Sequence, residues 1–204
     1  MATKYELIFI NNSTRVGDVC IFQEYADTKD PNIHTLAWLT KRTNPQVTDK
    51  FQWTTAPCFV WSETGVLVPG VTFESSQVVE AGLEKDNNIT FTKEDGAFQF
   101  KDLTTDPNTG ALTIICDQTI PQNQASVGIG MSGAGTLVAQ AQPNMNYRFE
   151  TKSNYKITFG NFIQGQVIDP SLLYLVGSIN FPANVYSMTA TLNPDNTWTI
   201  APTI

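Results

Sequence analysis

The chain has 204 residues, a formal net charge of −7, and only 15% charged residues. An acidic chain with a single adjacent basic pair, Lys41 and Arg42, repels phosphate backbones and excludes nucleic acid as a partner class. Chains of about 200 residues bury enough surface to fold without a metal or disulfide staple. All-β chains of this size commonly remain one domain, so residues 1–204 are read as one.

Period-2 alternation dominates the chain. Tyr5, Leu7 and Phe9 alternate with Glu6, Ile8 and Ile10, which predicts a first strand that turns at Asn11-Asn12-Ser13. Val19 to Phe22 is a short continuous apolar run, as expected of a strand buried on both faces. Thr35 to Thr40 reads as a strand in preference to a short helix. Phe51 to Trp53, Cys58 to Trp61, Val71 to Val79, Asn88 to Thr92, Ala97 to Phe100 and Ala111 to Cys116 follow. The residues from Asp106 to Gly110 have turn composition. Further strands are expected at Val127 to Met131, Thr136 to Ala141, Tyr147 to Glu150, Tyr155 to Phe162 and Gly165 to Ile168. Val185 to Leu192 and Thr197 to Ile200 form a hairpin through Asn193-Pro194-Asp195-Asn196. A Tyr-x-(Leu/Ile)-x-Phe-x-Asn echo links Tyr5 to Asn11 with Tyr155 to Asn161; two amphipathic strands with similar needs explain it. No series of amphipathic helices alternates with these strands. The expected fold is all-β: a two-layer antiparallel β-sandwich, jelly-roll or Ig-like, whose core includes Phe59, Trp61, Ile114, Ile157, Phe159, Met188 and Leu192.

Cys20, Cys58 and Cys116 sit singly in apolar runs and read as buried free thiols. No leader-like segment opens the chain, and no apolar run is long enough to span a membrane. The expected location is the cytoplasm, or outside the cell by a route without a recognisable signal peptide. Gly128-x-Gly130-x-x-Gly133 matches a dinucleotide fingerprint, but lacks a buried strand before it and room for a helix after it. A glycine-rich strand is the better reading. His34 is the sole histidine and lacks a nucleophile elbow, so neither a triad nor a His-rich metal site is expected. The Asp- and Asn-bearing turns lack calcium-loop spacing. Catalytic residues, metals and cofactors are therefore all read as none.

Two alternatives stay open. Glu63, Glu74 and Glu80 could supply a glycosidase carboxylate pair, with Glu74 and Glu80 sharing one strand face. Trp53 and Trp198 lie in polar strands and could stack on sugar rings, beside Asp195 and Asn196. These four residues are the ligand-binding candidates, with carbohydrate as the ligand.

The run Phe59 to Phe73, Gly17 to Gln23, and Val127 to Gly133 together resemble the rhizosphere-induced bacterial proteins of the RhiA type along most of the chain. The resemblance implies a bacterium living around plants or hosts, with density-regulated expression. It carries no assigned chemistry and no residue roles, and it favours a non-enzymatic protein. The leading functional expectation is a β module that self-associates or contacts a surface. Its low charge opposes close packing of copies weakly, and both terminal strands are expected to offer edges.

Overall fold

Among the described residues, period-2 patterning resolves into seventeen strands and one short 3₁₀ turn. The computed structural model describes residues 2–25, 32–107, 110–150 and 154–203. In chain order the strands begin with β1 Lys4–Asn11, β2 Gly17–Gln23, β3 Ile33–Thr35, β4 Leu39–Thr43, β5 Thr48–Thr54 and β6 Pro57–Ser62. Then come β7 Gln77–Glu80, β8 Asn88–Glu94, β9 Ala97–Thr104, β10 Ala111–Cys116, β11 Ser126–Met131 and β12 Ala134–Gln140. The last are β13 Met145–Glu150, β14 Tyr155–Gly160, β15 Val176–Ile179, β16 Ser187–Leu192 and β17 Trp198–Pro202. No helix among the described residues is long and apolar enough to cross a membrane.

The fold is all-β, as the alternation predicts, and its strands form four sheets. Sheet I has the order β17-β16-β1-β5 and sheet II the order β15-β14-β2-β4. Sheet III runs β3-β12-β11-β6-β7 and sheet IV β13-β10-β8-β9. Pairing is antiparallel except for β1 with β16 and β8 with β10. Sheets I and II enclose one core, in which Leu7, Phe9, Phe51 and Trp53 meet Ile21, Tyr155, Ile157 and Phe159. Sheets III and IV enclose a second, in which Phe59, Trp61 and Val127 meet Phe91, Ile114 and Phe149. β6 to β13, with β3 added at one edge, thus form an inserted sandwich, and β1, β2, β4, β5 and β14 to β17 build the other. The Tyr5 and Tyr155 echo has a shared purpose: their rings lie 6.2 Å apart, and both strands feed the one core.

The run Thr35 to Thr40 is not one strand. It changes sheets: β3 pairs with β12 in sheet III, and β4 pairs with β2 in sheet II. Between them Leu36, Ala37 and Trp38 are fully buried. Leu36 N donates to Thr136 O at 2.9 Å and Ala37 N to Gln166 O at 2.8 Å. The expected strands Val71 to Val79 and Gly165 to Ile168 are largely absent for a related reason. Instead they are straps that meet each other, Phe73 N on Gly165 O and Val167 N on Val71 O, each at 2.8 Å. Leu36, Leu67, Phe73 and Val167 pack on the outer face of sheet III against Val60 and Val138. Phe162 and Ile168 pack on the outer face of sheet II against Cys20 and Phe22. That covering explains the unbroken apolar run at Val19 to Phe22.

The glycine pattern belongs to this joint. A Cβ at Gly128 would stand 2.2 Å from Leu137 O, and one at Gly130 2.1 Å from Ala134 O, so both positions admit only a close backbone approach. Ser132 and Gly133, at φ 55° and 82°, form a two-residue hairpin turn. The tip of that hairpin enters the other sandwich, where Met131 and Ala134 join the core of sheets I and II.

One side chain, Gln77, bridges β7 and β9, edge strands of the inserted sandwich's two sheets. Gln77 Oε1 accepts from Trp61 Nε1 at 2.8 Å and from the β9 edge amide of Phe100 at 3.1 Å. Gln77→Leu should therefore strand two donors and cost about 2–4 kcal/mol in denaturant unfolding. A loss under about 0.5 kcal/mol would show that water replaces the amide there.

Candidate functional site

The expected ligand residues do not form one site. Trp53 lies on β5 and Trp198 on β17, which are opposite edges of sheet I. Trp53 is 1% exposed, packed edge-on to Trp38 at 5.7 Å and to Tyr155 at 5.2 Å. It faces inward from a strand whose alternate residues are polar, so it is a core residue and not a platform for a sugar. Asp195 and Asn196 serve the β16–β17 turn. Asp195 Oδ1 accepts from Thr197 N at 3.1 Å and Thr197 Oγ1 at 2.6 Å, and Asn196 takes φ 63°. Trp198 is half-buried beside Phe9, and its Nε1 donates to Leu175 O at 3.2 Å.

The carboxylates also part. Glu80 is on β7, whereas Glu74 sits in the strap before it, so they share no strand face. Glu63 and Glu74 line one shallow depression with Ser62, Thr64, Ser75 and Ser76. His34 is half-buried on edge strand β3, and burial lowers its pKa. Asp30 and Pro31, beside it in sequence, lie outside the described residues, as do Asn108 and Thr109 of the Asp106 to Gly110 turn. Among the described residues no three His, Cys, Asp or Glu gather as a metal site. The three cysteines are free and buried; burial pushes the Cys58 thiol up to about 11 and Cys116 to about 12. Such thiols stay protonated at neutral pH and are poor nucleophiles.

The structure instead forms a cleft of about 380 Å³ that sequence spacing does not reveal. Three separate segments wall it: the β1–β2 loop at Arg15, the strap at Pro69 and Gly70, and the run from Phe159 to Leu175. Each wall is locally fixed. Buried Asn11 donates through Nδ2 to Arg15 O at 2.9 Å, and Arg15 N donates to Ser13 Oγ at 3.2 Å. Arg15 therefore projects from a clamped loop, its guanidinium carbon 5.8 Å from the centre of the Phe159 ring. Gly70 N donates to Val167 O at 2.9 Å, which ties the strap to the second wall. Asp169 caps the 3₁₀ turn Pro170–Leu172, accepting from Ser171 N and Oγ at 2.9 and 2.6 Å. Trp198 holds the Leu175 carbonyl at the far end of that wall, so one expected candidate supports the cleft from beneath.

Comparison with known proteins now places the chain. The RhiA family model matches residues 2–203. The chain belongs to the RhiA family. Protein RhiA of Rhizobium leguminosarum bv. viciae is 36% identical over 205 residues, covering 98% of this chain and 87% of that relative. No solved structure matches the fold. The family resemblance carried by Gly17 to Gln23, Phe59 to Phe73 and Val127 to Gly133 is therefore confirmed. In this family member those three stretches build β2, then β6 with the strap after it, and β11 with its hairpin turn.

Acid should weaken the fold in two stages. Burial keeps His34 below its ordinary 6.5. Hydrogen bonds from Ser171 keep Asp169 below 3.8, those from Thr197 do the same for Asp195, and Lys50 with Gln52 keeps Glu6 below 4.5. Each group binds fewer protons folded than unfolded, so its contribution is present above the ordinary pKa and lost as pH falls through the folded one. Thermal melts should be level from about pH 8 to 7, decline gently below about 6.5 and steeply below about 4.5. His34→Gln should remove the gentle limb, and a melt that instead rises on acidification would contradict the assignment.

Proposed function

We propose that the chain is a non-enzymatic interaction module whose working surface is the face around the Arg15–Tyr174 cleft. One observation carries this reading. Among exposed large hydrophobic residues, Leu172 and Tyr174 line the cleft, and Val16, Val68, Ile163 and Val176 each adjoin a lining residue in sequence. Tyr174 is 81% exposed and Ile163 66%. A concentration of exposed apolar side chains around a cleft is the mark of a contact surface.

The expected route to self-association, pairing of terminal strand edges, loses one of its two strands. β1 is interior, bonded to β16 on one side and β5 on the other. β17 is an edge, but it ends at Pro202, which has no N–H to offer. Association of copies would then use the apolar face. The carboxylate alternative has only Glu63 and Glu74 in a shared, exposed depression.

Leu172→Ser/Tyr174→Ser tests the surface without touching a core. Wild-type chain should bind the apolar fluorophore ANS saturably or associate in sedimentation as concentration rises to about millimolar. The double variant should lose that behaviour by about tenfold while its melting temperature stays within about 3 °C. Wild-type and variant chains that behave alike in both measurements would overturn the reading. Polysaccharide hydrolysis that disappears in Glu63→Gln or Glu74→Gln would overturn its non-enzymatic part.

A further inference from the structure

We infer that the cleft is a binding site for a neutral saccharide, an assignment that rests on the working surface proposed above. The polar groups in the cleft are open. The Arg15 guanidinium, the Asn161 amide and the Tyr174 hydroxyl make no hydrogen bond or ion pair with any described residue. Gln166 spends Oε1 on Ile163 N at 3.1 Å and keeps its amide N–H groups free. Asp169 spends Oδ1 on Ser171 and keeps Oδ2. The cleft thus offers donors from Arg15, Asn161 and Gln166, acceptors from Asn161 and Asp169, and a hydroxyl that is both.

Three ligand classes compete for such a set, and their chemistry separates them. A purely apolar ligand would strip water from five polar side chains and pair none of them, each at a cost of roughly tenfold in affinity. A phosphorylated or polyanionic ligand would find one cation, Arg15, and one carboxylate, Asp169, in the lining, which therefore sums to zero charge on a chain of net charge −7. A saccharide has hydroxyls that donate and accept in turn, plus an apolar C–H face. That face matches the Tyr174 ring, which is exposed on the cleft wall. Rings in such positions supply stacking area at small entropic cost. The volume, about 380 Å³, lies within the usual range for small-ligand sites of about 300–1,000 Å³. Aromatic recognition of sugar is thus placed at Tyr174, not at Trp53 or Trp198; Trp198 is a positioning residue, through Leu175.

The test is calorimetric titration of the full chain with maltotriose, cellotriose, laminaritriose, mannotriose and N,N′,N″-triacetylchitotriose, with trigalacturonate as the acidic comparison. At least one neutral trisaccharide should bind. Its affinity should change less than about twofold between about 50 and 500 mM NaCl, because no net charge is paired. Tyr174→Ala and Asn161→Ala should each weaken it about threefold to tenfold. Stronger binding to a polymer of the same unit would assign a cell-surface glycan, and equal binding a free sugar or chain end; both support the site. Binding of trigalacturonate alone, loss of binding in salt, or affinity unchanged in both variants would overturn it. Failure here is separable from failure of the surface reading. Wild-type chain that binds ANS at this face, or self-associates through it, yet takes no trisaccharide overturns the saccharide assignment alone.

Discussion

The residues from Leu36 to Trp38 are where the chain leaves one sandwich for the other, and the rest of the structure depends on them. All three are fully buried, so every backbone donor there needs a partner. Each finds it in a different element. Leu36 N bonds β12, Ala37 N bonds the strap at Gln166, and Trp38 N bonds Ile21 O in β2 at 3.2 Å. The Trp38 indole then donates to Met131 O at 3.2 Å, and the Tyr155 hydroxyl meets Met131 Sδ at 3.4 Å. One short extended segment thereby fixes sheet II, sheet III and the hairpin tip together. A slip of one residue would expose Trp38 and leave buried amides unpaired, so the register is strongly specified.

The cleft follows from that joint. Residues 165–168 pair with the crossing segment on one side and with the strap at 70–73 on the other. The cleft lies beyond this ribbon, at Gly70 and at Gln166 to Asp169. Its walls therefore come from both sandwiches, and hydrogen bonds tie the backbone behind them at Gly70, Val167 and Ile168. The groups on the open side, Asn161, Leu172 and Tyr174, are exposed. A rigid back with accessible polar and apolar groups in front suits recognition, because little ordering entropy is lost on binding.

Much of the fold was legible in the sequence. Tyr5 to Phe9, Cys58 to Trp61, Ala111 to Cys116 and Ser187 to Leu192 alternate or run apolar because each feeds one core, and periodicity reports that directly. Val71 to Ser76 and Gly165 to Ile168 misled for a physical reason. They cover sheets and do not join them, yet they bury apolar residues such as Phe73 and Val167 in the same way a strand does. The Thr35 to Thr40 run hid its sheet change because both halves are extended. Trp53 misled because its strand neighbours Gln52 and Thr54 are polar, while its own side chain faces the sandwich core. The cleft was not legible at all. Arg15, Asn161 and Tyr174 have no shared spacing, and only the folded joint brings their segments together. The one local trace was Asn11 with Ser13, which looked like turn chemistry and proved to be the clamp on Arg15.

Hydrogen bonds from Leu36, Ala37 and Trp38 reach elements of both sandwiches, so the two are predicted to unfold together as one unit. Differential scanning calorimetry of the full chain tests this most directly. The predicted result is a single endotherm whose calorimetric and van't Hoff enthalpies agree. Two resolved transitions, or a van't Hoff enthalpy well below the calorimetric one with the lower-melting step confined to β6 to β13, would contradict it.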